Sequence, residues 1–271
     1  MSALPSQATR EGDPLISMRQ LRKVYRKKKA GGKTEEFLAV SNVSMEIYEG
    51  NMVSLVGPSG CGKSTLLKIL AGLHCHDGGT LRIGGGTGSG SFNGGRDVGM
   101  VFQQPLLLKW RTILENVMLP AEILGLDQQK ARVRAHELLE MVGLTGFADK
   151  LPYELSGGMQ QRAAIARALI HNPKLVLMDE PFGALDALTR EKMNLEMLRI
   201  WEETGKTFVV VTHSIQEAIF LGSHCAVLTA GPARMADFFA IELPAPRRLH
   251  VKTSAAFGVY VRRVYDLLGV E

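Results

Sequence analysis

A glycine-rich segment that follows an apolar run has the residue types and spacing needed to bind phosphate. It reads Gly57-Pro-Ser-Gly-Cys-Gly-Lys-Ser-Thr65, in which two glycines separated by four residues precede lysine and serine. Glycines let the backbone curl so that successive N–H groups point at a polyphosphate, and the start of the following helix favours an anion there. Lys63 can reach the outer phosphates and the Ser64 hydroxyl can ligate Mg²⁺. The predicted site comprises Gly57, Pro58, Ser59, Gly60, Cys61, Gly62, Lys63, Ser64 and Thr65.

Two acidic residues end a second apolar run. Leu175 to Met178 is followed directly by Asp179 and Glu180. Parallel sheets bind ligands at the carboxyl ends of their strands, so these acids should face the phosphates. Asp179 suits a Mg²⁺ role, often through water, and Glu180 suits orienting or deprotonating the attacking water. The alternative is a pair of surface acids at a strand end.

A third segment, Leu155-Ser-Gly-Gly-Met-Gln-Gln-Arg162, opens a predicted helix. Ser156 precedes a first turn that holds two glycines, which leaves N–H donors and a hydroxyl exposed to an anion. An ordinary N-capped helix explains these residues equally well when they are taken alone.

The scaffold that must position these segments alternates strands and helices. Apolar runs predict strands, helical spacing predicts helices, and spacing over residues 112–143 indicates a helical insertion. Continuous apolar runs such as 175–178 are typical of parallel strands covered on both faces. Strands are predicted at 37–47, 52–56, 80–83, 98–102, 175–178 and 208–211, helices at 63–71, 187–203, 214–222 and 254–268, and a mobile glycine-rich loop at 84–95. Together these elements predict an α/β domain with a mainly parallel sheet, an N-terminal β layer and an inserted helical subdomain.

Composition narrows the class of protein. The chain has 271 residues, 45% of them hydrophobic and 22% charged, as in ordinary globular proteins. No run approaches the length of a membrane-spanning helix, and the first residues lack the apolar core of a signal peptide, so we expect a cytosolic protein. Three scattered cysteines favour a reducing compartment, and the position of Cys61 inside the phosphate loop suggests that a thiol reagent would block ligand binding there. The basic run between Arg19 and Lys33 is either a solvated hairpin tip or a surface for nucleic acid or anionic lipid.

The order of the motifs over residues 17–235 resembles that of ATP-binding cassette (ABC) ATPases. The phosphate loop, Gln103, Leu155-Ser-Gly-Gly-Met-Gln160, Asp179-Glu180 and His213 follow one another as in that family. The resemblance implies a P-loop NTPase (RecA-like) core with an N-terminal antiparallel β subdomain and an inserted α-helical subdomain. It implies a flexible N-terminus at 1–16, an ATPase domain at 17–245 with its helical subdomain at about 104–160, and a C-terminal helical tail at 246–271.

The same resemblance assigns roles to individual residues. Tyr25 would stack on adenine, Gln103 would sense Mg²⁺ and water and couple to the membrane subunit, and His213 would contact the γ-phosphate. Catalytic roles fall to Glu180, His213, Lys63 and Gln103, and Mg²⁺ ligation to Ser64, Gln103 and Asp179. The ATP held by one subunit would be contacted by the signature loop of the other, with Ser156, Gly157, Gly158, Gln160 and the linking residue Asp186.

Finer resemblance is to the nitrate/sulfonate/taurine importer group. It rests on three segments: Pro105-Leu-Leu-Leu-Lys-Trp-Arg-Thr112, Pro181-Phe-Gly-Ala-Leu-Asp-Ala-Leu-Thr-Arg190 and Ile200-Trp-Glu-Glu-Thr-Gly-Lys206. Ser214 departs from the aspartate usual in that group. Leu106–Leu108 with Trp110 either cradle a short helix of a membrane subunit or pack within the helical subdomain.

The resemblance also predicts partners and a location. The partners are a second copy or a homologous ATPase subunit, permease subunits and a substrate-binding protein, with no nucleic acid. The location is the cytoplasmic face of the inner membrane, where the chain would be peripheral. A soluble ABC ATPase and a non-hydrolysing module are the alternatives.

Overall fold

The structure is a computed structural model that describes residues 12–28, 34–84 and 92–269. The strands are β1 (Ile16–Lys28), β2 (Thr34–Ile47), β3 (Met52–Val56), β4 (Gly78–Ile83), β5 (Val98–Val101), β6 (Leu175–Asp179), β7 (Thr207–Thr212), β8 (His224–Leu228) and β9 (Met235–Ala240). The α-helices are α1 (Lys63–Leu70), α2 (Gly94–Asp97), α3 (Ile113–Ile123), α4 (Gln128–Met141), α5 (Gly157–Leu169), α6 (Ala187–Thr204), α7 (Ile215–Leu221) and α8 (Ala255–Leu268). Short 3-10 turns lie at Thr145–Phe147, Pro152–Glu154 and Leu249–Thr253.

The chain divides into two compact units. The first combines Met1–Phe92 with Val209–Glu271, and the second is Asn93–Phe208. The phosphate loop and the C-terminal tail therefore belong to the first unit, and the helical insertion to the second.

An antiparallel sheet of order β2-β1-β4 forms the N-terminal layer of the first unit. Ile16 on the central strand pairs with Ile47 of β2 and with Ile83 of β4, and its side chain is fully buried. Leu15 is also buried, so the N-terminal segment predicted to be flexible through residue 16 ends earlier. Residues 1–11 of that segment and the predicted hairpin tip at 29–33 lie outside the described part of the chain.

The other sheet strands of the first unit lie in the order β7-β3-β8-β9. All five residues of β3 are buried, as expected for a strand covered on both faces. β8 runs parallel to β3, and β9 runs antiparallel to β8. The sequence prediction missed β1, β8 and β9, whereas it found β3 and most of β7.

The second unit combines a parallel strand pair, β5 and β6, with a group of helices. Helices α3, α4 and α5 pack against one another, which confirms a helical region in the middle of the chain. A capping box of Thr112 and Glu115 starts α3, and Asp127 caps α4. The prediction that Gly84–Gly95 is one loop is wrong at its end, because Gly94 and Gly95 begin α2 with Asn93 as its cap. Residues 85–91 lie outside the described part.

No helix within residues 12–28, 34–84 and 92–269 has both the length and the apolar character needed to span a bilayer.

Candidate nucleotide-binding site

In the first unit, the phosphate loop leads from the buried strand β3 into α1. The rim residues Pro58, Ser59 and Gly60 are exposed, whereas Gly57 and Cys61 are buried at its base. Gly60 has φ +73° and Gly62 has φ +115°, both in the left-handed region that glycine adopts without strain. Alternating backbone of this kind is what turns consecutive N–H groups toward an anion.

Close packing of the loop requires glycine at Gly57 and Gly62. A Cβ at Gly57 would lie 2.5 Å from the carbonyl oxygen of Leu228, and a Cβ at Gly62 would lie 2.6 Å from that of Ala39. The loop therefore packs closely against the end of β8 and the middle of β2.

Lys63 keeps its ammonium inside the loop. The side chain is 5% exposed, and Nζ donates to the carbonyl oxygens of Gly57 at 2.7 Å and Pro58 at 2.9 Å. Both acceptors are neutral, so phosphate oxygens would be stronger partners for the same charge. This geometry fits the predicted role of Lys63.

The buried thiol of Cys61 contradicts one expectation. Its side chain is 1% exposed, and Sγ would be 3.2 Å from a Cβ at Gly57, toward the base of the loop. A thiol reagent therefore cannot reach Cys61 without opening the loop. The N–H of Cys61 donates to the carbonyl oxygen of Pro58 at 3.3 Å and helps to form the turn.

His213 lies between the end of β7 and the cap of α7. It is exposed, while Thr212 before it is buried. Ser214 accepts a hydrogen bond from the N–H of Glu217 and donates its own N–H to Thr212 Oγ1 at 3.1 Å. The serine that replaces the usual aspartate is thus the N-cap of α7, a role that serine fills as well as aspartate does.

Tyr25 lies on β1, and its ring contacts two neighbouring side chains. The His74 ring meets it edge-on at a centroid distance of 5.8 Å, and Lys23 Nζ is 5.6 Å from its centroid. Asp77 accepts a hydrogen bond from the N–H of Val24 at 2.9 Å and pairs with Lys23 at 3.0 Å, and these two contacts lower the pKa of its carboxyl group. The half-buried Tyr25 ring is therefore braced in place, and its stacking on adenine stays a prediction.

In the second unit, Asp179 is the last residue of the buried strand β6, and Glu180 is the first residue of the turn that follows it. Glu180 has φ +47°, a left-handed conformation that costs a non-glycine residue about 1–3 kcal/mol and persists only where the surroundings enforce it. A Cβ at Gly183 would lie 3.3 Å from Gln103 Nε2 and 3.6 Å from Glu180 Oε2. Gln103 and Glu180 therefore border the same glycine.

The signature segment starts α5 with Ser156 as its N-cap. Ser156 and Gly157 are exposed, and the Ser156 hydroxyl accepts from the N–H of Met159 at 3.4 Å. A Cβ at Gly158 would lie 3.0 Å from Thr189 Cγ2, so the start of α5 lies against the start of α6. Gln160 donates to the carbonyl oxygens of Pro152 and Leu155, which makes it a brace for the preceding turn.

Asp186 caps α6 and is exposed. It accepts hydrogen bonds from the hydroxyl and the N–H of Thr189, and these lower the pKa of its carboxyl group. Sequence reasoning gave no role to Arg190, yet its guanidinium donates to the carbonyl oxygens of Phe182, Gly183 and Leu185 and fixes the loop before α6. No pattern separates such an arginine from a surface one, because its acceptors are backbone atoms.

Each unit thus groups part of the predicted set. The first unit holds the phosphate loop, Tyr25 and His213, and the second holds Gln103, the signature segment, Asp179, Glu180 and Asp186. The hydroxyl of Ser64, the carboxylate of Asp179 and the amide oxygen of Gln103 are hard oxygen donors of the kind that Mg²⁺ prefers. No cluster of three or more His, Cys, Asp or Glu suited to a metal occurs among the described residues.

A glycine-rich loop between a buried strand and a helix, with an inward lysine, defines a P-loop nucleotide-binding protein. The model of the ABC transporter family matches residues 40–183. The chain is 45% identical to an uncharacterized ABC transporter ATP-binding protein of Methanocaldococcus jannaschii over 86% of this chain and 85% of that one. It is 46% identical to a taurine import ATP-binding protein of Pelagibacter ubique over 75% of this chain and 76% of that one.

A solved structure is also similar to this chain. A dimeric ATP-binding cassette in a post-hydrolysis state with ADP and phosphate superposes with a TM-score of 0.68 at 36% identity, over 84% of this chain and all of the other. The chain therefore belongs to the ABC transporter family. It has the P-loop NTPase core of that family, binds ATP and hydrolyses it in an activity that is coupled to transport.

Proposed function

We propose that this chain is the ATP-hydrolysing subunit of a membrane importer and that it dimerises when it binds ATP. The observation that carries the hydrolytic part of the proposal is Glu180, which has a left-handed conformation directly after the buried strand β6 and borders the same glycine as Gln103. A strained backbone at this position supports the proposal that Glu180 positions the attacking water, because such strain is often retained at functional sites.

The other residues of the proposed site supply binding and charge stabilisation. The phosphate-loop N–H groups and Lys63 would hold the β- and γ-phosphates, and Ser64, Asp179 and Gln103 would hold Mg²⁺. Bound Mg²⁺ would neutralise charge that develops on the phosphate oxygens. Glu180 orients water and accepts its proton, and His213 contacts the γ-phosphate. Phosphoryl transfer needs mostly positioning and electrostatics, which matches a site built from preformed donors.

A second subunit would complete each site with the exposed start of α5. Ser156 and Gly157 present a hydroxyl and helix N–H groups to solvent, and such groups bind an anion when one is brought to them. ATP would then hold two subunits together and hydrolysis would release them. The dimeric relative with ADP and phosphate supports this reading.

A groove in the second unit supports docking of a permease segment. It has a volume of about 390 Å³, and its walls include Met100, Phe102, Leu106, Leu119 and Ile123. Leu106 is 55% exposed and Ile123 75%, and Trp110, in the segment of the chain that follows Leu106, is 76% exposed. Exposed apolar groups of this size around a concave surface are typical of a helix-in-groove interface.

Similarity to taurine import proteins supports a small organic or inorganic anion, such as a sulfonate, taurine or nitrate, as the transported substrate. The subunit would then be peripheral on the cytoplasmic face of the membrane and would work beside permease subunits and a substrate-binding protein.

The Glu180→Gln variant tests the hydrolytic site. We expect it to bind ATP with an unchanged affinity and to hydrolyse it at least ~100-fold more slowly, because general-base contributions are of that order. It should accumulate as an ATP-dependent dimer in sedimentation experiments. The matched control is Glu191→Gln on α6, which should keep full activity.

The concentration dependence of the ATPase rate tests the two-subunit site. A specific rate that rises with protein concentration in the wild type supports it. Full hydrolysis by a Glu180→Gln monomer would overturn the proposal. Hydrolysis that no permease preparation stimulates would instead favour a soluble ABC ATPase.

A further inference from the structure

The segment that follows β9 is tied to helix α7 by one buried arginine. Arg247 is 9% exposed, and its Nη1 donates to the carbonyl oxygens of Phe220 at 2.9 Å and Gly222 at 2.7 Å. Its Nη2 donates to the carbonyl oxygen of Ile241 at 3.1 Å. The guanidinium therefore joins the C-terminal end of α7 to the chain that enters the tail.

The end of α7 needs such a partner. The last carbonyl groups of any helix find no N–H donor within the helix, and a positive charge near them is favourable. The next residue, Gly222, is pressed so closely that a Cβ would lie 2.6 Å from the carbonyl oxygen of His224 and 2.8 Å from Ser54 Oγ. Lys252 of the tail places its Nζ 4.6 Å from the centroid of the buried Phe220 ring. The tail thus holds the end of α7 by two cations.

The other end of α7 follows His213 directly. Ser214 caps the helix, and its N–H is held by Thr212 Oγ1. The helix has only seven residues, about 10 Å in length, and it packs against β3 and α8. A helix of this length is expected to move largely as one body, so we expect a displacement at Phe220 to move Ser214 and the adjoining His213.

We infer that Arg247 is a positioning residue for ATP hydrolysis, which sets the place of His213 by fixing the C-terminal end of α7. The inference rests on the role proposed above for His213. It also gives the tail a function in the reaction cycle, since movement of the tail would change the hydrolysis rate without touching the nucleotide.

Arg247→Met keeps the apolar stem and removes the donors. We expect kcat to fall about tenfold, which corresponds to about 1.4 kcal/mol in activation free energy, with KM for ATP changed less than twofold. Arg247→Lys should recover part of kcat, because an ammonium can still donate to the carbonyl groups of Phe220 and Gly222. Hydrogen exchange of the amides of 215–221 should be faster in Arg247→Met.

Arg263→Met is the matched control. Arg263 also anchors the tail, but it donates to Asp237 at 2.6 Å and stacks over Phe239, so it joins α8 to β9 and not to α7. It should lose thermal stability to a similar extent and keep its kcat. An equal fall of kcat in Arg263→Met would reduce the effect of Arg247 to general stability and overturn the inference.

The double variant with His213→Ala identifies the route. If Arg247 acts through His213, Arg247→Met causes no further loss of kcat in the His213→Ala background. A full additional tenfold loss would overturn the inference while leaving the proposed function intact. Full activity of His213→Ala itself would instead refute the role proposed for His213. If Arg247→Met does not fold, Arg247→Lys is taken through the same cycle.

Discussion

At Gly62, a methyl group would lie 2.6 Å from the carbonyl oxygen of Ala39 and 3.0 Å from the Cβ of Ala233. The backbone there also has φ +115°, which an L side chain rarely adopts. Gly60 shares the positive φ, at +73°, but a methyl group added there would meet nothing within 4 Å. Alanine at Gly60 would therefore cause backbone strain alone, whereas alanine at Gly62 would cause backbone strain and a steric clash.

Gly62→Ala should deform the loop and reduce ATP affinity at least ~10-fold, because contact with a backbone carbonyl cannot be relieved by a rotamer change. Gly60→Ala should cost only about 1–2 kcal/mol of left-handed strain and leave more of the affinity. Titration with a fluorescent ATP analogue measures both. Equal losses in the two variants would contradict this reading of the loop.

The phosphate loop, the acidic pair and the signature segment were predictable at the residue scale because their chemistry is local. The order of residue types predicts the turn between strand and helix and the helix start, although the contacts that require glycine at Gly57 and Gly62 depend on the fold. The left-handed Glu180 and the bracing contacts of Arg190 and Gln160 were not predictable, since they depend on backbone atoms brought near by the fold.

At the scale of elements, Asn116 organises the loop that presents Trp110. Its side chain is fully buried, accepts from the N–H of Leu108 at 2.7 Å, and donates to the carbonyl oxygens of Leu108, Arg111 and Thr112. One side chain on α3 thus fixes both ends of residues 108–112. That loop belongs to the surface on which we propose that the permease docks.

Asn116→Leu should lower the free energy of unfolding by about 1–3 kcal/mol, because it leaves buried backbone groups unpaired. It should weaken stimulation by permease subunits more than basal ATPase activity. Asn194→Leu on α6 is the control, since the buried Oδ1 of Asn194 has no hydrogen-bond partner. That change should leave stability equal or higher, as measured by thermal unfolding. A destabilisation equal to that of Asn116→Leu would contradict the argument.

Most helices and central strands followed from periodicity, and their ends lie within a few residues of those predicted. Two of the missed strands, β1 and β9, have physical causes in the structure. In β1 the pairing register shifts three times and Gln20 has φ +51°, which breaks the alternation of buried and exposed residues. In β9 the burial is only partial and Asp237 interrupts the apolar run, as an edge strand allows.

At the scale of the whole molecule, two half-buried histidines make stability depend on pH. Burial lowers the pKa of His171 and of His224 below the ordinary value of 6.5. Between 6.5 and the lower folded pKa, the unfolded chain binds more protons than the folded one. The contribution of these two histidines to the free energy of unfolding is therefore fully present above pH 6.5, and it is lost as the pH falls through that window. The lowered pKa values of Asp77, Glu115, Glu154 and Asp186 add a separate loss in stronger acid.

The double variant His171→Gln and His224→Gln cannot gain these protons. We expect its free energy of unfolding in urea to fall less between pH 7 and pH 5 than that of the wild type. His136→Gln, at an exposed position on α4, should keep the slope of the wild type. An unchanged slope in the double variant would show that these two histidines do not set the response.

The three cysteines of the chain differ in accessibility in a useful way. Cys61 and Cys225 are buried, Cys75 is exposed, and burial raises the pKa of the Cys225 thiol to about 12. A maleimide dye should therefore attach at one position in the native protein, without any engineered substitution. Cys75 adjoins His74, whose ring touches Tyr25. The wild-type sequence thus offers an optical reporter beside the proposed adenine platform, suited to following nucleotide turnover one molecule at a time.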